Sequence, residues 1–286
     1  MKKPRISIIG LGRVGTAFLN ALVDQDYPVR SVYNRSGVSE SFSKSYPNTV
    51  FETGLPQNEE ALGELIFLTS SDDAIPEIAA NLAQIRSTFV GKFFVHCSGT
   101  LSSEILKPLQ KKGAQVASFH PMRSITPKTK DLKEVWFDVE GDEAVVAMLE
   151  NIADTLGSFT FRVEPEAKSL LHVSAVVASN YLVVLADLAA TISAMGNIPE
   201  DKALKALSSL MQNTLNNVSE LGTEEALTGP VVRGDLETIR DHMAKLEGNS
   251  EVLRIYKMLG YRALDIVKRK DEWTAAHDEI KKLLSR

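Results

Sequence analysis

The hexapeptide Gly10-Leu11-Gly12-Arg13-Val14-Gly15 stands between an apolar run, Arg5–Ile9, and a stretch of helical periodicity, Val14–Val23. The first glycine of such a turn permits a tight bend, and the second lets the backbone approach a pyrophosphate. The third lets the helix pack closely on the strand, and the helix N-terminus receives the phosphate charge. A second β-rich run, Val29–Tyr33, leads to Asn34, 19 residues past Gly15. Strand, glycine turn, helix and second strand at this spacing predict a dinucleotide site rather than an unliganded turn.

The end of the second strand selects among dinucleotides. A site for NAD places Asp or Glu there to accept from the ribose 2′-hydroxyl. This chain has Asn34-Arg35-Ser36, without a carboxylate, and the Arg35 guanidinium suits a 2′-phosphate. The expected cofactor is therefore NADP(H), held by the Gly10–Gly15 turn with Asn34, Arg35 and Ser36. Two further strand ends reach the same crevice, because open α/β sheets bind ligands beyond the carboxyl ends of their strands. These are Thr69-Ser70-Ser71-Asp72 and Cys97-Ser98-Gly99-Thr100. Thr69, Ser70, Ser71, Ser98 and Gly99 are expected to line the nicotinamide ribose, whereas Asp72 and Thr100 read as helix N-caps.

The remaining pattern extends this start. Strands are expected at Leu65–Thr69, Phe93–His96, Val116–Phe119, Val135–Val139 and Thr160–Val163, with helices from about Ile75, through Ile105–Leu109 and over 143–156. Beyond Glu164-Pro165 only helical periodicity remains, over 166–195, 199–220, 235–247, 250–269 and 272–285. The reading is an α/β Rossmann domain over 1–164, a doubly wound and mostly parallel sheet, followed by an all-α domain over 165–286. A length of 286 residues agrees with two domains at about 150 residues each.

The order of Gly10–Gly15, Asn34–Ser36, Leu68–Ile75 and His96–Thr100 before an all-helical half resembles one superfamily. It holds pyrroline-5-carboxylate reductase, prephenate dehydrogenase and 6-phosphogluconate dehydrogenase. The N-terminal part also resembles coenzyme-F420-dependent NADP oxidoreductases. Phe119-His120-Pro121-Met122, the Asn180-Tyr181-Leu182 region and Thr228-Gly229-Pro230-Val231-Val232-Arg233-Gly234-Asp235 are similar to a bacterial family of NADP oxidoreductases. Its helical domain is of unknown function. The likeness implies a 6-phosphogluconate-dehydrogenase-like C-terminal fold and hydride transfer with NADP(H).

A nicotinamide carries hydride and leaves the protein to move a proton. By likeness to the His-Pro turn of prephenate dehydrogenases, His120 is the candidate acid–base group. Arg123-Ser124 replaces the Ala-Gly that usually follows, which argues against a prephenate-type substrate. Lys168 and His172 lie four apart and share a helix face, and Ser179 returns to nearly the same azimuth. Hydroxyacid dehydrogenases of the superfamily carry a Lys with an Asn four residues later here, and His172 takes that Asn place. Two readings of the pair stay open: catalysis, or Lys168 in solvent with His172 bonded in the core.

Arg123, Ser179, Asn180 and Arg233 complete the expected substrate set, with Arg233 able to clamp a carboxylate. The Thr228–Pro230 loop looks like the substrate-enclosing loop of pyrroline-5-carboxylate reductase. Asp235 is expected to cap the helix that follows it. His96 reads as a satisfied core histidine and His242 and His277 as solvated. Cys97 lacks the basic neighbours that would activate a thiol. The substrate is expected between the domains, with His120, Lys168 and His172 around it.

A net charge of −5 disfavours a nucleic-acid partner. The lone cysteine excludes an intrachain disulfide and a Cys-based metal site, and no metal is expected. Val173–Ala186 is nearly uniformly apolar but shorter than the roughly 20 residues of a membrane span. It reads as the centre of a homodimer built through the helical half of a cytoplasmic protein. The functional classes left open are hydride transfer to or from a small, anionic molecule, imine reduction as in pyrroline-5-carboxylate reductase, and NADP(H) sensing without turnover.

Overall fold

The computed structural model describes residues 3–285. They divide into two compact units, one ending at Ser179 and one beginning at Asn180, with the division inside one long helix.

The first unit is an eight-stranded sheet of order β3-β2-β1-β4-β5-β6-β7-β8. Its strands are β1 (Ile6–Ile9), β2 (Val29–Asn34), β3 (Val50–Thr53), β4 (Leu65–Leu68), β5 (Phe93–His96), β6 (Gln115–Pro121), β7 (Trp136–Gly141) and β8 (Phe159–Arg162). All neighbouring pairs are parallel except β6 with β7. Because β1 and β4 are covered on both faces, all eight of their residues are buried; β4 reads as an unbroken apolar run, and β1 is apolar but for Ser7, whose hydroxyl pairs with that of Ser31. The chain reverses its winding between β1 and β4, which opens the crevice at their carboxyl ends.

Helices α1 (Arg13–Asp24) and α5 (Glu143–Leu156) bury apolar residues in the core of one sheet face, where Phe119 stacks on Phe137 at 4.1 Å. Helices α3 (Ile75–Leu82) and α4 (Lys107–Gln110) contribute to the opposite core. The expected strands and helices of this half are present. Two elements carried too little periodicity to read: edge strand β3, with Val50 55% exposed, and α2 (Glu40–Lys44), a helix of five residues. The stretch expected as a helix through Ile105–Leu109 is a 3₁₀ turn, Ser103–Leu106, continued by α4, whose second residue is Pro108. Proline lacks the N–H that would bond back to the preceding turn.

The long helix α6 spans Lys168–Met195. Val173–Ala186 is thus the middle of a 28-residue helix, in line with the periodicity over 166–195, and the length argument against a span is corrected: by length and composition the helix is long and apolar enough to cross a membrane. In the second unit, α7 (Glu200–Ala226) bends at Gly222, where φ is +78°. Then follow α8 (Pro230–Arg233), α9 (Leu236–Leu246), α10 (Ser250–Arg269) and α11 (Ala275–Ser285). Ile239, Leu264, Ile280 and Leu284 form their core. Asp235 caps α9, accepting from the Thr238 N–H at 3.2 Å.

Candidate functional site

The Gly10–Gly15 turn has a separate steric reason for each glycine. Gly10 has φ +105°, and a Cβ there would stand 2.8 Å from Ser70 Oγ. At Gly15 a Cβ would meet the Gly10 carbonyl at 2.0 Å and Thr69 Oγ1 at 2.6 Å, so only glycine lets α1 lie this close to the strand ends. At Gly12 nothing stands within 4 Å of that position. The backbone is open there, at the cap of α1, whose first N–H groups lack a side-chain partner.

A cavity of about 510 Å³ adjoins this turn, lined by Gly10, Leu11, Gly12, Asn34, Arg35, Thr69, Ser70 and Ser71, with Glu77 from α3 as its carboxylate. Arg35 is exposed on its wall. Asn34 ties two loops together: its Oδ1 accepts from the Leu11 N–H at 3.0 Å, and its Nδ2 donates to the Ser36 carbonyl at 2.9 Å. An open helix N-terminus, a guanidinium and no carboxylate at the end of β2 fit a dinucleotide bearing a 2′-phosphate.

At the next strand ends, Ser98 Oγ accepts from the N–H groups of Thr100 and Leu101 at 3.1 Å. Asp72 and Thr100 do not cap helices as expected. The Thr100 hydroxyl donates to Asp72 Oδ2 at 2.7 Å, so each is the other's partner across the crevice loops.

Four further side chains, His120, Asp138, Lys168 and His172, converge beside β6. His120 and Asp138 are paired across the antiparallel β6–β7 register, and His120 Nδ1 lies 2.7 Å from Asp138 Oδ2. A carboxylate only accepts, so Nδ1 carries the hydrogen. The first residue of α6, Lys168, donates to Asp138 Oδ1 at 2.5 Å. Lys168 is fully buried, Asp138 is 1% exposed and the His120 side chain 18%. Burial alone would raise the Asp138 carboxyl, but the His120 hydrogen bond and the Lys168 charge outweigh it and hold the carboxyl below its ordinary value.

His172, one turn along α6, sets its ring edge-on to His120, with centroids 6.3 Å apart. Its Nδ1 is buried without a hydrogen-bond partner. Gly99 closes the group: a Cβ there would stand 2.8 Å from His120 Cε1, His120 Nε2 and His172 Nδ1. The β5 loop approaches both imidazoles because residue 99 has no side chain.

Thus His120, Lys168, His172 and Gly99 come together, and the group includes Asp138, which the sequence reading missed. Its signal was present but faint: Asp138 and Glu140 alternate with Phe137 and Val139 in an otherwise apolar strand. Both acids are buried, and Glu140 accepts from the Ser103 N–H and hydroxyl at 2.5 and 2.7 Å. Ser179 is exposed; it shares an azimuth with Lys168 but lies about 16 Å further along α6. Arg123 is exposed near Asp131, at 3.9 Å. In the second unit Asn180 is exposed, and Arg233 lies 3.9 Å from Asp235.

Other sequence readings need correction. His277 is not solvated: it is 2% exposed, with Nδ1 accepting from the Thr274 N–H and Nε2 donating to the Val232 carbonyl. It staples α11 to α8. His242 is exposed and bonds Tyr256. His96 is buried as expected, its Nδ1 accepting from the Ser98 N–H at 3.2 Å, and the ring faces the Ser102 backbone. Burial lowers its pKa to about 4, keeping the ring neutral. Burial also pushes the Cys97 thiol up, away from thiolate chemistry.

Comparison with known proteins agrees with this fold. Residues 1–121 match the family model of a Rossmann-like domain, and residues 135–263 that of a domain of unknown function (DUF2520). No curated protein sequence matches the chain. Among solved structures, protein TM1727 of Thermotoga maritima is 26% identical, with a TM-score of 0.72 over 93% of this chain and 99% of that one. A "putative NADP oxidoreductase" of Bacteroides fragilis is 24% identical, with a TM-score of 0.70 over 90% and 96%. A reductive aminase of Aspergillus terreus, in complex with NADPH and ethyl-5-oxohexanoate, is 17% identical, with a TM-score of 0.68 over 92% and 94%.

Proposed function

We propose that this chain, a Rossmann-like domain followed by a DUF2520 domain, is an NADP(H)-dependent oxidoreductase that acts on a small, anionic substrate. One observation carries the reading: a single sheet presents both an open helix N-terminus at Gly12 and, at the end of β6, a histidine held by a buried carboxylate. The fold shared with an NADPH-bound reductive aminase supports it.

The nicotinamide supplies or accepts the hydride. The chain's own groups do the rest. Gly10, Gly12 and the N-terminus of α1 receive the pyrophosphate, and Arg35 meets the 2′-phosphate. Asp138 accepts from His120 Nδ1, which leaves Nε2 to accept a proton from the substrate or, once protonated, to return one. Arg123 supplies a guanidinium for an anionic group.

NADPH consumption, followed by absorbance over a panel of carbonyls, imines and hydroxy acids, tests the reading. Turnover with an anionic member is expected. Tight NADPH binding without turnover on any member would favour a sensor. Imine reduction is the second reading, on the likeness to the reductive aminase, and turnover confined to imines would select it.

NADPH is expected to bind about ten- to a hundredfold more tightly than NADH, through a charge-assisted contact of about 1.5–3 kcal/mol at Arg35. Titration of both cofactors against wild type and Arg35→Ala reads this directly. A preference undiminished in the variant would remove Arg35 from the site.

The protein is further proposed to be a homodimer through its helical half. Among the described residues α7 buries only Ala203 and Ala226, and α6 leaves Leu170 71% and Val183 70% exposed. So much apolar surface on one chain calls for a cover, and two-fold pairing is the commonest solution. Sedimentation in detergent-free buffer is expected to give twice the 31.4 kDa chain mass. A monomer at micromolar concentration would refute the dimer.

A further inference from the structure

We infer that Asp138 is the positioning residue of this site: it holds His120 as its Nδ1–H tautomer, and Lys168 acts through Asp138 rather than on a substrate. The inference rests on the reading of His120 as the acid–base group.

Asp138 has two carboxylate oxygens and two partners. Oδ2 takes the His120 Nδ1–H at 2.7 Å, and Oδ1 takes the Lys168 ammonium at 2.5 Å. Neither Asp138 nor Lys168 reaches solvent. For Lys168 to touch a bound molecule it would have to leave its counter-ion in a dry interior, which strands two buried charges. His120 is the partly exposed member of the three, with its free Nε2 on the Gly99 side. The unconstrained imidazole favours the Nε2–H tautomer, which would turn a donor outward. Asp138 imposes the reverse, leaving a lone pair at the atom that meets the substrate.

Lys168 has a different task in the same bond set. Its positive charge, together with the His120 hydrogen bond, keeps Asp138 ionised although burial opposes this. The other titratable groups around the cluster are His172 on α6, His96 at the end of β5, Cys97 just after it and, beyond them, Asp72. None of these is hydrogen-bonded to the Asp138 carboxylate among the described residues.

Nitrogen-15 spectra of the histidine rings, recorded on the full chain without cofactor or substrate, test this independently of turnover. Neutral wild-type His120 is expected as the Nδ1–H form. Asp138→Asn and the double variant Lys168→Met/Asp138→Asn are expected to shift toward Nε2–H. Lys168→Met alone is expected to keep Nδ1–H, while the Asp138 carboxyl, read by carbon-13, protonates at higher pH than in wild type. The double variant leaves no buried charge of the pair, so it remains readable if a single variant does not fold.

In turnover, Asp138→Asn is expected to lower kcat by about 10²-fold or more without changing NADPH affinity. The double variant should match Asp138→Asn within about twofold, since groups that act as a unit are not additive. An Nε2–H wild-type ring, a tautomer that follows residue 168 rather than 138, or a further tenfold loss in the double variant would overturn the inference. An Nδ1–H ring in a protein without turnover would instead overturn the enzyme reading and leave the positioning role standing.

Discussion

Replacing His120 with Asn is expected to lower kcat by about 10²–10⁴-fold, the usual contribution of a positioned acid–base group. NADPH affinity is expected to stay near wild type, because the cofactor cavity is built from the ends of β1, β2, β3 and β4, their loops and α3, without His120. Asparagine keeps hydrogen-bonding capacity toward Asp138 but cannot exchange a proton near neutral pH. The variant therefore separates chemistry from packing. With a substrate identified by NADPH absorbance, kcat and cofactor affinity are measured side by side for wild type and variant. A loss of less than about threefold would move the proton transfer elsewhere. Gly99 makes the site sensitive in another way: with 2.8 Å from its Cβ position to both rings, the loop has no slack for a side chain.

The second large effect is on stability. Lys168→Met is expected to cost about 3–5 kcal/mol at pH 7, because it leaves the Asp138 carboxylate buried without its counter-ion. Urea denaturation measures the loss, and Lys168→Met/Asp138→Asn is expected to recover much of it, since two apolar or neutral groups need no compensation. The pH dependence follows from the sign of the Asp138 shift. Its folded carboxyl lies below the ordinary value, so the stabilisation is fully present above the unfolded value of about 4 and declines as pH falls through the folded one. The gap between wild type and Lys168→Met should therefore be wide at pH 7 and narrow in strong acid. A wild type and variant of equal stability at pH 7 would mean that the pair is not buried as the structure places it.

The cofactor half of this protein was legible in the sequence because its determinants are local. The Gly10–Gly15 turn, the apolar run before it and the helix after it lie within 20 residues, and each glycine answers a short-range steric demand. The β4 run was equally plain, being buried on both faces and so continuously apolar, and β1 and β5 depart from that pattern only at Ser7 and His96. The absence of a carboxylate in Asn34-Arg35-Ser36 is likewise a local fact. Its consequence for Asn34 was not, because the bond from the Leu11 N–H joins residues 23 apart.

The proton-handling group belongs to the tertiary structure. His120, Lys168 and His172 could be named from position, periodicity and likeness, and spacing put Lys168 and His172 on one helix face, but nothing in it set them against His120 and a shared carboxylate. Three long-range facts decided it: the antiparallel β6–β7 register that sets Asp138 opposite His120, the start of α6 that drops Lys168 onto the same carboxylate 30 residues later, and the side-chain-free loop at Gly99. Strand alternation put Asp138 and Glu140 on one side of β7, yet two acids in an otherwise apolar strand do not state their partners. His277 erred for the same reason, its charged neighbours in sequence hiding a ring buried by contacts between α8 and α11. A short-range pattern fixes what the backbone does over a turn or a strand. Which charges share a dry interior depends on strand register and helix docking, and these are set by packing across the whole unit.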